Sequence, residues 1–120
     1  MEIKIPQGKG FSWTKHSIKK MRFYGLSANK VKRILRRPER IEEGIATGTI
    51  AVMQRSTSKK RRHEIWAMYA PFKGPKRGGK SLIIISAWRY PGESSPGREI
   101  PIPEELRPEI EKEIENLKKN

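Results

Sequence analysis

The stretch Ser81–Gly92, SLIIISAWRYPG, is the most apolar segment of the chain, and any fold has to be built around it. Leu82, Ile83, Ile84 and Ile85 are branched side chains that suit an extended strand. The run then finishes on Trp88, Arg89 and Tyr90, so an apolar strand ends where the sheet meets solvent. With 34% of 120 residues hydrophobic, one small domain with a modest core is the simplest way to cover it.

The punctuation upstream of this strand predicts helices first and strands afterwards. Ile3 and Ile5 alternate with charged residues and suggest a short opening edge strand before Gly8 and Gly10. Thr14 can cap a helix over Lys15–Tyr24 that stops at Gly25. Ser27 can cap a second helix, Ala28–Arg37, which ends because the ring of Pro38 disfavours α geometry at the residue before it. Its buried stripe is Val31, Ile34 and Leu35. Strands are expected at Arg40–Ile45, Thr49–Arg55, Arg62–Ala70 and Leu82–Trp88, and short basic connections make an antiparallel meander the economical topology. A last helix in LRPEIEKEIENLKK would place Leu106, Ile110, Ile114 and Leu117 on one face, with Pro108 in its first turn.

Charge divides the chain. Residues 1–98 carry 23 Lys/Arg against 6 Glu, whereas residues 99–120 carry 4 against 7. This predicts a basic domain over 1–98 and an acidic helical extension over 99–120, packed on the same domain. A net charge of +14 attracts polyanions and favours binding through counterion release, which points to RNA, DNA or a ribosome. There is no cysteine and no aspartate. Disulfides and thiolate metal sites are thereby excluded, and two histidines do not make a convincing metal centre. No apolar run approaches a membrane span, and the first residues lack the apolar core of a secretory leader, so a cytoplasmic location is expected.

In a meander, the end of the last strand lies beside the start of the one before it and the end of the one before that. Arg55, Arg62, His63, Glu64, Trp88 and Arg89 should therefore gather at one edge, with the Ser56–Arg61 loop and its Lys59, Lys60 and Arg61. Arg89 and Arg62 are candidates to neutralise a phosphate, or to stabilise its added charge during transfer. His63 and His16 are candidate proton carriers, each also readable as a surface histidine. Trp88 and Tyr90 could stack on unpaired bases, although a strand-end tryptophan can equally cover the core. GPKRGGKS over residues 74–81 matches a phosphate-loop pattern, but a strand rather than a helix follows it. It is read as a basic hairpin loop, with no nucleotide cofactor.

FSWTKHSIKKMRFYGLSANKVKRILRRPERI resembles the opening of an uncharacterised bacterial family allied to the BrnT toxins. LIIISAWRY is similar to the end of the BrnT central sheet, and together the likeness covers about residues 11–90. Matching positions are His16, Met21, Arg22, Gly25, Ser27, Pro38, Ser86, Ala87 and Arg89. Tyr24 and Trp88 stand where relatives often carry arginine. The resemblance implies an α+β, RelE/ParE-like fold of two N-terminal helices packed on a small antiparallel sheet, to which this chain adds its C-terminal helix. It also implies a metal-independent endoribonuclease checked by a protein antitoxin.

The sequence thus predicts a toxin-like RNA-binding domain that cleaves by attack of a ribose 2′-OH on the adjacent phosphate. His16 or His63 would move protons, and Arg89 and Arg62 would stabilise charge. Arg55, Lys59, Lys60, Arg61, Arg22, Tyr90 and Trp88 would hold the strand. The alternative is the same basic surface acting as a non-catalytic RNA-, DNA- or ribosome-binding module.

Overall fold

A computed structural model describes residues 11–56, 62–73, 80–97 and 99–118. It is an α+β structure of three helices and one five-stranded mixed sheet. In chain order the elements are β1 (Phe11–Trp13), α1 (Lys15–Tyr24), α2 (Ala28–Arg36), β2 (Arg40–Glu43), β3 (Ile50–Arg55), β4 (His63–Lys73), β5 (Lys80–Pro91) and α3 (Arg107–Lys118). The sheet order is β1-β5-β4-β3-β2. The expected opening strand at Ile3 and Ile5 lies outside the described residues.

Both N-terminal helices are set by local chemistry. Thr14 Oγ1 accepts from the Ser17 N–H at 3.0 Å, and Gly25 adopts a left-handed φ of 67° that a side chain would strain. Ser27 Oγ accepts from the Lys30 N–H at 3.1 Å, and α2 closes on Arg37 just before Pro38. Thr14 also ties α1 to the sheet, because its hydroxyl lies 3.2 and 3.1 Å from the carbonyls of Ile84 and Ile85.

The β2–β3 and β3–β4 pairs are antiparallel, as is β4–β5. The sheet is not wholly antiparallel, however. Phe11–Trp13 pairs parallel with Leu82–Ile84 and places a strand ahead of the helices. The β4–β5 register shifts between Met68 and Tyr69: Met68 faces Ser86 while Tyr69 faces Ile84. Ile85 is left as the extra residue of a bulge, which re-aims the strand at that point.

Two buried clusters lie on the alternating sides of these strands. One joins Met21, Leu26, Val31, Ile34 and Leu35 to Val52, Ile65, Ala67, Tyr69 and Ile84. The other joins Ala51, Met53, Trp66, Met68, Ile85 and Trp88 to Ile100, Leu106, Ile110 and Ile114. The acidic C-terminal segment is therefore an integral cover for apolar surface. Removing it would return the buried faces of Trp66 and Trp88 to water, side chains that carry the largest hydrophobic contributions. No helix among the described residues is long and apolar enough to cross a membrane.

Candidate nucleic-acid interface

The strand pairings bring the predicted segments to one end of the sheet. Arg55 lies opposite Glu64, Glu64 opposite Tyr90, Ile65 opposite Arg89 and His63 opposite Pro91. A pocket of about 280 Å³ opens there, lined by Arg55, Ser56, Arg62, His63, Gly92 and Glu93. Arg55 and Arg62 are exposed, and His63 is half-buried. Glu93 Oε1 approaches Arg62 Nη1 at 3.4 Å, a pairing at the solvent edge that tempers the cationic rim.

Arg89 stands behind the pocket and has a different job from the one expected. Its Nε donates to the Tyr24 carbonyl at 2.6 Å, and its Nη2 lies 3.4 Å from the Gly25 carbonyl. A cation thus closes the C-terminus of α1, where the helix dipole favours it. Its Nη1 lies 2.6 Å from His63 Nε2. Guanidinium can only donate, so Nε2 accepts and the ring proton of His63 sits on Nδ1. Arg89 positions His63 and directs its donors largely at protein atoms.

The pleat divides the expected cluster. Neighbouring residues on a strand point to opposite sides, so Trp88 and Arg89 part company, as do His63 and Glu64. Trp88 is fully buried, its ring stacked on Trp66 with centroids 6.1 Å apart, and its Nε1 donates to the Pro101 carbonyl at 2.7 Å. It presents no face to a base, which corrects the stacking role assigned to it. Tyr90 is half-buried against the same cluster. Glu64 is fully buried and accepts from Trp66 Nε1 at 3.0 Å, from the Ser94 N–H at 2.9 Å and from Ser94 Oγ at 2.6 Å. Arg40 Nη1 lies 3.9 Å away. This carboxylate fastens the segment after β5 to the sheet and takes no part in the pocket.

His16 is remote from this end. It occupies the first turn of α1 while Arg89 grips the last, a separation of roughly 12 Å along the helix axis. Its Nε2 lies 2.9 Å from Ser86 Oγ, and its Nδ1 lies 3.5 Å from Glu109 Oε1 of α3. Glu109 Oε2 also meets Lys20 Nζ at 3.3 Å. Burial holds the His16 pKa below its ordinary value, against the opposing pull of Glu109 and Glu113. Serine, histidine and carboxylate stand in the order of an acyl-transfer relay, but Ser86 is fully buried, so a substrate carbonyl cannot reach it. The three groups instead join α1, β5 and α3. The proton-transfer role predicted for His16 is not supported by this placement.

Arg22 is exposed on α1. Lys59, Lys60 and Arg61 lie outside the described residues, as does most of the phosphate-loop-like segment; the part that is described, from Lys80, is strand. Sequence reasoning missed Glu93, Ser86 and Glu109 as partners, because each contact joins residues distant in the chain. It also missed Phe23, which a helical wheel would have placed about 200° round α1 from the buried Met21. No family model matches the chain, and no curated protein or solved structure matches it either.

Proposed function

We propose that this chain is an RNA-binding domain of the toxin-like kind, built on the RelE/BrnT-like plan of two helices packed on a small sheet. The observation that carries the reading is the pocket of Arg55, Arg62 and His63 at the strand ends. It is supported by the helical region beside it. Between Phe11 and Pro38 the chain has nine Lys/Arg and no acidic residue. Arg55 and Arg62 seat a backbone phosphate, and the exposed lysines and arginines of α1 and α2 attract the rest of the strand. A protein antitoxin, in this reading, would be an acidic partner for the same surface.

Cleavage is the second reading, favoured by an imidazole in a pocket with two arginines. Attack of the 2′-OH on phosphorus needs a base to take its proton and an acid to protonate the leaving 5′-oxygen. His63 serves as base only if Nε2 releases Arg89, whether Nε2 then takes the proton itself or receives the ring proton and leaves Nδ1 to take it. In the observed arrangement the site binds more readily than it cleaves.

One experiment separates the readings. Purified protein is titrated against a labelled single-stranded RNA in chelator at several salt concentrations, and the RNA is then resolved by size. Binding that weakens with salt, with a slope about one smaller in Arg55→Ala or Arg62→Ala, supports phosphate seating. Fragments that disappear in His63→Ala would establish cleavage. Affinity indifferent to salt and to both arginines would refute the proposal.

A further inference from the structure

The basic pocket accounts for a phosphate but leaves the bases unread, and the tryptophan expected to stack on them is buried. We propose that Phe23 is the platform for one unpaired base of the bound RNA, with a phosphate of the same strand in the Arg55/Arg62/His63 pocket; this rests on the RNA-binding reading above. Phe23 is 74% exposed, far more than Ile18 at 40% or Ile41 at 36%, the other large apolar side chains left in water among the described residues. A single exposed apolar residue is ordinary. Three features set this one apart.

The first is its orientation. The ring meets Tyr24 edge-on, with centroids 4.9 Å apart and planes at 85°, and Lys20 Nζ lies 5.4 Å from its centroid. Tyr24 is itself packed against both buried clusters. Phe23 is thus steadied from below while most of its surface stays open, which lowers the entropy lost when a base stacks on it.

The second is its setting. Lys19 and Arg22 on the same helix are exposed and have no ion-pair partner among the described residues. Lys20, over the ring, is paired with Glu109, so the cationic flank of Phe23 is the Lys19/Arg22 side, and there a polyanion carrying flat aromatic bases is matched in both charge and shape.

The third is the connection to the pocket. The Tyr24 carbonyl accepts from Arg89, and Arg89 holds His63, which lines the pocket. Stacking platform and phosphate seat are therefore fixed relative to one another by a short chain of hydrogen bonds.

The test uses the full chain and two probes of equal length, oligouridylate and an abasic ribose-phosphate oligomer, followed by fluorescence anisotropy. Phe23→Ala should weaken oligouridylate binding roughly five- to a hundredfold and leave the abasic oligomer within about twofold. Phe23→Trp should retain or tighten the former. Because the side chain is exposed, unchanged melting of both variants confirms that they fold. Equal losses on both probes would overturn stacking, as would an unaltered affinity for oligouridylate, the result expected if Phe23 serves a protein partner. Wild-type protein that binds neither probe would overturn the RNA-binding reading along with this one.

Discussion

The two histidines are associated with opposite ends of one helix and are used differently. At the start of α1, His16 has both ring nitrogens near protein groups, Ser86 on β5 and Glu109 on α3. Near the end of α1, His63 gives one nitrogen to Arg89 and lines an open pocket. The first joins three elements in a partly buried junction, and the second is presented by an arginine that also caps the helix. The lesson is that a histidine's usefulness is decided by what its nitrogens already hold. Composition and neighbours in sequence do not report that.

The largest effects should separate the two ends. Arg89→Ala removes a charged donor from two helix-terminal carbonyls and from His63, and should cost about 2–3 kcal/mol, lowering the melting temperature by roughly 10 °C. RNA affinity should fall as well, because His63 loses its orientation. His16→Ala leaves the Ser86 hydroxyl buried without its partner and should cost about 1–3 kcal/mol, yet leave RNA affinity within about twofold. Thermal melts and RNA titrations on the same two variants check both halves. Loss of RNA affinity in a folded His16→Ala protein would erase the contrast.

Acid and alkali sharpen it further. The His16 pKa is lowered on folding by burial, so as pH falls below 6.5 the unfolded chain takes up its proton first. Stability from this group is complete above that value and erodes as the solution is acidified, a dependence that His16→Ala should lose. Burial pushes the Tyr69 hydroxyl up to about 12 from 10.0, so the unfolded chain releases that proton first. Stability should decline again as pH rises from 10.0 towards that value, and Tyr69→Phe should flatten this limb. Denaturant titrations across pH, wild type against each variant, read both.

What was legible in the sequence was whatever short-range chemistry controls. Thr14, Gly25 and Ser27 cap or stop the helices as read, because each acts on its own neighbours in the chain. Hairpin connectivity made the β3–β4–β5 order readable too. Phe11–Trp13 was not, since three residues become a strand only by pairing with Leu82–Ile84. The bulge at Ile85 carries no glycine to announce it. Burial of Glu64 depends on Ser94 and on Arg40, neither of which spacing connects to it. The separation of Trp88 from Arg89, by contrast, follows from the alternation of strand side chains. Counting faces would have kept the tryptophan out of the cationic cluster.

The smallest expected effect concerns the acid inside the pocket. Glu93 pairs with Arg62 at 3.4 Å, but Arg62 keeps 83% of its side chain exposed and Glu93 48%, so water screens the pair and it contributes little to stability. Glu93→Gln should therefore leave the melting temperature unchanged within error. Its effect on a phosphate is another matter, because the carboxylate repels the ligand and competes for the guanidinium. Removing that charge should tighten RNA binding about two- to fivefold at low salt, an advantage that fades as salt screens the rim. The same substitution made alongside Arg62→Ala should gain less, since the competed cation is gone. If Glu93→Gln weakens binding instead, the carboxylate is a ligand contact, and the pocket has been assigned to the wrong charge.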